Sequence, residues 1–298
     1  MTLDLRAIAM GVAFALMWSS AFATARIIVA DAPPLMALAA RFLISGLIAI
    51  AVARALGQSW RLTPAQWRAT AVFGLCQNAL YLGLNFVAMQ RIEASLAAII
   101  ASTMPLLVAG LGWAFMGQRV RPLGLAGLVA GLAGVALIMG ARVEGGGVWL
   151  TGLALCAAGA LAASVATLMV KGATSGGNLL MVVGLQMLVG AVLLGAVSAA
   201  AETWFLRWSP AWGAAFAYQI LVPGLTATLV WFALVGRIGA VRASTFHFLN
   251  PFFGVAIAAL LLGERVRLLD LAGVAVIMGG ILAVQLSRAP APSPAEAR

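Results

Sequence analysis

Long apolar stretches separated by short polar loops follow one another along almost the whole chain. A bilayer core of about 30 Å requires about 20 apolar residues in each crossing helix, and ten stretches of this kind are present. Thr63-Pro64 and Ser209-Pro210 combine a capping residue with a first-turn proline, which is typical of helix starts. The pattern predicts an all-α polytopic membrane protein with ten transmembrane helices, at residues 7–28, 35–53, 65–89, 94–116, 122–140, 148–170, 179–201, 211–235, 240–262 and 268–286.

One segment of the chain is repeated at a constant offset of 146 residues. The fragment Gly117-Gln-Arg-Val-Arg121 recurs as Gly263-Glu-Arg-Val-Arg267, and the match runs without a gap from 91/237 to 138/284. Five predicted helices per half is an odd number, so the second half must cross the membrane in the opposite sense. We predict two inverted five-helix repeats, residues 1–143 and 144–287, followed by a disordered cytoplasmic tail at 288–298.

The chain has a net charge of +10, and its basic residues are spread over several segments between the predicted helices. This distribution is typical of a membrane protein and not of a single nucleic-acid-binding patch. With the N-terminus inside, the inner segments carry eleven basic residues against Asp4 and Glu296, and every outer loop sums to zero. The positive-inside rule therefore predicts that both termini are cytoplasmic. The expected partners are the lipid bilayer and a small-molecule substrate, without nucleic acid, and the oligomeric state is left open.

Few side chains are available for metal binding or acid–base chemistry. Cys76 and Cys156 lie inside predicted helices and are interpreted as apolar packing. With one histidine in the chain, neither a metal site nor a cofactor is expected. All eight carboxylates are predicted in loops or at termini. Proton coupling usually needs an intramembrane acidic residue, and an enzyme needs a general acid or base, so both functions are disfavoured.

Several short motifs occur in order along the chain. They are Trp18-Ser-Ser-Ala-Phe22, Arg26, Pro33-Pro34, Arg41-Phe42, Pro105 with Gly117-Gln-Arg, and Pro251 with Gly263-Glu-Arg. Together they resemble the EamA family of the drug/metabolite transporter (DMT) superfamily. The resemblance implies a bacterial inner-membrane exporter of amino acids or other small metabolites, and the chain is most similar to the YddG-type aromatic amino acid exporters. Gln118 departs from the acidic residue that is usual in this family.

Three prolines, Pro105, Pro223 and Pro251, fall near the centres of predicted helices. Proline removes an intrahelical hydrogen bond and bends a helix. Freed carbonyl groups are tolerated in a bilayer only where they face protein or a watery cavity. The prolines therefore predict a lumen at the bilayer midplane, although transmembrane prolines also serve merely to set helix curvature.

Neutral polar and aromatic side chains surround these prolines, and most tryptophans elsewhere flank the helices as an interfacial belt. Such a wall suits a zwitterion or an uncharged metabolite better than a phosphorylated sugar. Aromatic amino acids are favoured, with nucleobases and cationic drugs as alternatives. The predicted substrate-binding residues are Trp18, Ser19, Asn78, Tyr81, Thr103, Pro105, Thr228, Phe246, His247, Asn250 and Pro251.

Two ionisable residues lie inside predicted helices, and the role of each can be interpreted in two ways. Arg41 is interpreted as paired within the protein, and otherwise as a clamp for a substrate carboxylate. His247 is interpreted as structural, and otherwise as a group that binds substrate or passes a proton.

The function favoured by the sequence is facilitated export by alternating access. The alternatives are a proton-coupled drug or metabolite efflux carrier, an intramembrane enzyme acting on a lipid-linked substrate, a channel, and a structural partner subunit.

Overall fold

The computed structural model describes residues 4–117, 120–144, 150–169 and 176–287, and all regular structure within these ranges is helical. Ten helices are long and apolar enough to cross a membrane, which confirms the predicted spans. They are α1 (Leu5–Asp31), α2 (Pro34–Ala55), α3 (Pro64–Ala88), α4 (Ala94–Met116), α5 (Pro122–Glu144), α6 (Leu150–Met169), α7 (Leu179–Ala201), α8 (Pro210–Ile238), α9 (Ala240–Thr245, Phe246–Leu249 and Asn250–Leu262) and α10 (Leu268–Ser287). The predicted tail at 288–298 lies outside the described residues.

Local capping signals start the third and eighth helices. Thr63 and Gln66 form a capping box at the start of α3, in which each side chain accepts from the other residue's backbone N–H. At the start of α8, Ser209 Oγ accepts a hydrogen bond from Trp212 N at 3.1 Å. Both helix starts lie where the sequence predicts them.

Asp4 joins the start of α1 to the end of α8. Its carboxylate accepts from Ala7 N at 3.2 Å and pairs with Arg237 Nε at 2.7 Å. The Arg237 guanidinium lowers the pKa of the Asp4 carboxyl. The pair therefore contributes stability above the ordinary pKa of aspartate and loses it as the pH falls through the lowered value. Both side chains are exposed, so the contribution is small.

The offset of 146 residues is present in the backbone as well as in the sequence. A π-helical segment interrupts α3 at Gly74–Leu82 and α8 at Ile220–Thr226, and the two segments begin 146 residues apart. The helices α4 and α9 end at Gly117 and Gly263, which have left-handed φ angles of 62° and 67°, a conformation that glycine adopts without strain. The structural repeat thus extends upstream of the matching sequences.

The fourth and ninth helices are interrupted at equivalent positions. Helix α4 is broken at Thr103, and α9 passes through a 3₁₀ turn at Phe246–Leu249. Pro105 and Pro251 occupy the first turns of the helical segments that follow, where a missing N–H removes no intrahelical bond. The sequence predicts bends caused by a lost hydrogen bond at these two prolines, whereas the structure has helix breaks with each proline at the start of the second segment.

Glycine contacts bring the two halves together. Between α5 and α10, a Cβ at Gly127 would lie 2.7 Å from Gly280 O, and a Cβ at Gly134 would lie 3.0 Å from Gly273 O. Gly127 and Gly273 are 146 residues apart, as are Gly134 and Gly280, so each contact maps onto the other. Inverted repeats related by a pseudo-two-fold axis produce this reciprocity, and small residues permit the close approach.

The remaining helices interlock across the same axis. Between α2 and α7, a Cβ at Gly46 would lie 3.0 Å from Gly184 O, and one at Gly184 would lie 2.9 Å from Gly46 O. Helix α1 packs against α8 and α9 of the second half, whereas α6 packs against α3 and α4 of the first half. Each half therefore places its first helix among helices of the other half.

Candidate functional site

A small central cavity lies among α1, α2, α3 and α8. Its volume is about 40 Å³, which accommodates a few water molecules and is well below the roughly 300 Å³ at which small-molecule sites begin. A metabolite-sized ligand would fit this cavity only with the surrounding helices moved apart. The residues that line it are Trp18, Ala21, Phe22, Ala25, Arg41, Tyr81, Leu82, Asn85, Phe86, Met89, Gln219 and Pro223.

The two π-helical segments supply part of this wall. A π turn carries one extra residue, which rotates the following side chains relative to an ordinary helix, and such turns are frequent at functional sites. Tyr81 and Leu82 come from the segment in α3, and Pro223 comes from the segment in α8. Of the three prolines expected to mark a lumen, Pro223 is the one that lines the cavity.

Arg41 is the cationic residue of the cavity. Its side chain is 5% exposed, and its Nε is buried without a hydrogen-bond partner. The guanidinium carbon lies 5.2 Å from the ring centroid of the neighbouring Phe42. Within the described residues, no hydrogen bond or ion pair joins Arg41 to a carboxylate. The contact of the Arg41 guanidinium within the described residues is thus with an aromatic ring and not with a carboxylate.

Gln219 is a second polar residue of the cavity, and it is not among the residues that the sequence predicts for the site. Its side chain is completely buried. The amide Nε2 donates to Ala21 O at 2.6 Å and to Thr24 Oγ1 at 2.9 Å, both in α1. These two bonds use the donor end of the amide, while Oε1 is buried without a partner. Gln219 thus brings an unused hydrogen-bond acceptor to the cavity.

Asn85 and Cys156 form a polar contact on the side of the cavity formed by α3. Asn85 Nδ2 donates to Tyr81 O at 2.8 Å, and Asn85 Oδ1 accepts from Cys156 Sγ at 3.3 Å. Cys156 is buried as expected, but it also acts as a weak hydrogen-bond donor that helps to hold Asn85. The Asn85 amide is therefore occupied by protein partners, unlike Gln219 Oε1.

An aromatic cluster lies between the cavity and the N-terminal face, the face at which α1 begins. The Phe14 ring centroid is 5.8 Å from that of Trp18, 4.7 Å from Trp231 and 5.3 Å from His247. One turn earlier in α1, Gly11 lies against the Phe246 ring. The cluster contains two predicted site residues, Trp18 and His247, and Phe246 packs next to it. Of these three residues, Trp18 lines the cavity, whereas His247 and Phe246 lie beside it.

Polar residues that the sequence placed on the path bond to backbone carbonyl groups. Asn78 Nδ2 donates to Gln186 O of α7 at 2.9 Å, and Ser19 Oγ donates to Asn250 O of α9 at 3.2 Å. The hydroxyl groups of Thr103 and Thr228 donate within their own helices, to Ile100 O at 2.6 Å and Gly224 O at 3.0 Å. These bonds hold helices together or close helix breaks.

Two of the eleven predicted site residues, Trp18 and Tyr81, line the central cavity. The structure places the others in the aromatic cluster, at the helix breaks or in contacts between helices. They are Ser19, Asn78, Thr103, Pro105, Thr228, Phe246, His247, Asn250 and Pro251.

A wider vestibule of about 710 Å³ opens on the face at which α1 ends. It is lined by charged side chains that include Arg26, Asp31, Glu93 and Glu264. The Arg26 guanidinium donates to the carbonyl oxygen of Met89, which also lines the central cavity. Arg26 therefore lies between the vestibule and the cavity.

Asp270 corrects one detail of the charge assignment. The sequence predicted every carboxylate in a loop or at a terminus, but Asp270 lies in the first turn of α10 with its side chain fully buried. Its Oδ2 accepts a hydrogen bond from Arg267 N at 3.0 Å, so it acts as a helix cap. None of the carboxylates in the described residues lines the central cavity.

Ten apolar helices in an inverted repeat, with a cavity enclosed between the halves, have the architecture of a secondary transporter. The model of the EamA-like transporter family matches residues 5–140 and 150–286, and the chain belongs to this family. It is therefore a multi-pass membrane transporter of small metabolites.

The individual relatives share about a quarter to a third of their residues with this chain over the matched regions. The chain is 27% identical over 270 residues to the uncharacterized transporter YvbV of Bacillus subtilis, covering 90% of this chain and 88% of the relative. It is 24% identical over 282 residues to the chloroplastic WAT1-related protein At3g02690 of Arabidopsis thaliana, covering 90% and 66%. It is 31% identical over 132 residues to the aromatic amino acid exporter YddG of Ancylobacter novellus, covering 44% and 45%.

A crystal structure of another protein shares the fold. It superposes with a TM-score of 0.69 at 23% sequence identity, over 94% of this chain and 96% of the other. At this TM-score and coverage, the two proteins share one fold.

Proposed function

We propose that the protein exports amino acids, aromatic and other neutral ones, or similar small metabolites by alternating access across the bacterial inner membrane. The observation that carries this proposal is an aromatic cavity with one cationic side chain. Trp18 and Phe22 of α1 face the same space as Tyr81 and Phe86 of α3, and Arg41 borders it. Aromatic walls bind apolar or aromatic bodies through large contact areas, and an arginine suits a carboxylate.

The alternatives fit this cavity less well. A cationic drug would be repelled by Arg41, which has no counterion there among the described residues. A nucleobase would stack on the rings but would leave the buried guanidinium without an anionic partner. An enzyme acting on a lipid-linked substrate would need a general acid or base on the cavity wall. The named function of the YddG relative, whose match is partial, supports aromatic amino acids.

The proposed orientation places both termini in the cytoplasm. It is supported by the excess of basic residues on the N-terminal face, among them Arg54 in the last turn of α2 and Arg61 in the loop that follows. The vestibule around Arg26 and Glu264 then opens to the periplasm. The division into repeats 1–143 and 144–287 with a cytoplasmic tail at 288–298 belongs to this proposal.

Purified protein in liposomes is expected to take up labelled phenylalanine or tryptophan faster than glutamate, lysine or adenine. Tyr81 is buried and Trp18 is half-buried at the cavity wall. Trp18→Ala and Tyr81→Ala should each lower uptake about tenfold or more, because complete burial of an aromatic body contributes about 1.5–3 kcal/mol. Initial rates across a labelled panel measure this. Trp60→Ala is the matched control, since Trp60 is 62% exposed in a loop. Preferential uptake of adenine or a cationic drug would overturn the proposal.

Transport is expected to run down the substrate gradient without proton coupling. A carrier whose path binds no proton gives a pH gradient no differential interaction with its two facing states. Liposomes with a pH gradient should therefore equilibrate the substrate without accumulating it. Uphill accumulation that a protonophore abolishes would contradict this expectation. Loss of that accumulation in His247→Ala, which lies in the aromatic cluster, would then support the proton-coupled alternative.

A further inference from the structure

Two buried polar groups of opposite character border the central cavity, and neither has the protein partner that burial normally demands. Arg41 is 5% exposed with an unpartnered Nε, and Gln219 is 0% exposed with an unpartnered Oε1. Buried polar atoms are nearly always hydrogen-bonded, and an uncompensated buried charge is destabilising. Groups left in this condition beside a cavity are placed to receive a ligand.

The two side chains come from helices that adjoin each other, and Gln219 is held in position by hydrogen bonds. Ser45, one turn along α2 from Arg41, lies 3.3 Å from the point where a Cβ at Gly224 would stand, so α2 adjoins α8 at this level. Gln219 precedes Gly224 in α8, and its Nε2 is fixed by two bonds to α1. The acceptor end of the amide therefore cannot turn into a donor without breaking both bonds. The guanidinium and the amide oxygen come from different helices that meet around one space.

We propose that Arg41 binds the carboxylate of the transported substrate and that Gln219 Oε1 accepts a hydrogen bond from its amino group. This inference rests on the proposed function as an exporter and names the substrate class: zwitterionic monocarboxylates with an apolar or aromatic body. A guanidinium donates two parallel hydrogen bonds to one carboxylate. The amide oxygen accepts from an ammonium group without adding a second charge to the site.

The same arrangement rejects other ligands. No side-chain carboxylate in the described residues lines the cavity, so an amine that lacks a carboxylate meets an uncompensated guanidinium. Like-charge repulsion from Arg41 opposes the binding of such an amine, so the site discriminates against it in favour of an amino acid. An acid that lacks the amino group keeps the Arg41 contact but leaves Gln219 Oε1 unpaired. Substrate charge is thus recognised by two residues that respond to different groups.

Three probes with one aromatic body separate the two contacts: L-phenylalanine, 3-phenylpropionate and 2-phenylethylamine. Equilibrium binding to the full-length transporter in lipid nanodiscs is measured for each. In Arg41→Gln, affinity for phenylalanine and phenylpropionate should fall about 10- to 100-fold, while affinity for phenylethylamine is unchanged or rises. In Gln219→Leu, affinity for phenylalanine should fall, while affinity for phenylpropionate is unchanged or rises.

Thermal stability separates a ligand-binding role from a structural one. Because the Arg41 charge is unpaired without substrate, Arg41→Gln should leave the melting temperature of the ligand-free protein unchanged or raised, and should reduce its rise on adding phenylalanine. A structural role would instead lower the ligand-free melting temperature and reduce affinity for all probes alike. Arg68→Gln, which removes an exposed arginine near the start of α3, is the control for lost positive charge.

The outcomes distinguish this inference from the function on which it rests. If the wild-type protein binds phenylalanine and Arg41→Gln binds all three probes as the wild type does, the assignment of Arg41 is overturned and amino acid export stands. If Gln219→Leu leaves the preference for phenylalanine over phenylpropionate intact, the assignment of Gln219 is overturned. If the wild type binds phenylethylamine alone, or no probe, both the inference and the export of aromatic amino acids are overturned.

Discussion

Replacing Gly280 by valine is expected to remove most of the folded protein from the membrane. A Cβ at this position would stand 2.6 Å from Gly127 O, 2.7 Å from Gly131 N and 2.8 Å from Gly131 Cα. All three are backbone atoms, so no side-chain rotation relieves the clash, and α5 and α10 must separate. Overpacking in a close-packed core costs about 1–3 kcal/mol or more, against a total stability of about 5–15 kcal/mol.

The adjacent glycine provides the matched control. A Cβ at Gly279 would meet nothing within 4 Å, and Gly279→Val places the same residue in the same helix, so intrinsic helix propensity cancels. The yield of monodisperse protein and its melting temperature in one detergent compare the two variants. Equal losses in Gly279→Val and Gly280→Val would show that the α5–α10 contact is not what the substitution breaks.

The sequence predicts the membrane spans and two of the helix starts well, because these features depend on local composition. Ten apolar stretches of bilayer length set the ten spans, and the caps at Thr63 and Ser209 set two of their starts. The π-helical segments were not predicted. Pro223 disturbs the segment in α8, but Gly74–Leu82 in α3 contains no proline. A π turn depends on which distant partners the displaced side chains find, and a local pattern does not contain that information.

The site was predicted less well because residue type does not reveal which way a side chain points. Polar side chains within a bilayer must find hydrogen bonds inside the protein. Asn78 and Ser19 find them on the backbones of neighbouring helices. Gln219 looks the same in sequence, yet its amide is only half used. Trp18 was found because an aromatic residue this deep in a helix is unlike the tryptophans of an interfacial belt.

Some helix N-termini are capped by side chains that are distant in sequence, and the capping group differs between the two faces of the molecule. On the face at which α1 ends, Glu202 accepts from Leu35 N and Met36 N at the start of α2, both at 3.0 Å. On the N-terminal face, the amide oxygen of Gln58 accepts from Met181 N at 3.1 Å at the start of α7. A carboxylate on a helix N-terminus is favoured by the helix dipole and by charge-assisted hydrogen bonds. The caps are therefore stronger on the vestibule face than on the N-terminal face.

Glu264→Ala is expected to show how much such a cap contributes. The carboxylate lies in the loop between α9 and α10 and accepts from Ala94 N at 2.7 Å and Ser95 N at 3.0 Å, so a loop of the second half holds the first turn of α4 in the first half. A hydrogen bond to a charged group contributes about 1.5–3 kcal/mol. Water replaces part of that loss in a half-buried site, so a total cost of about 2–3 kcal/mol is expected.

Two further variants separate charge from hydrogen bonding at this position. Glu264→Gln keeps an acceptor for Ala94 N but removes the charge that the dipole of α4 favours, so its stability should lie between wild type and Glu264→Ala. Arg265→Ala removes an exposed neighbour in the same loop and should melt with the wild type. Melting temperatures in one detergent give the order. If Glu264→Ala melts together with Arg265→Ala, the carboxylate does not hold the two halves together on the vestibule face.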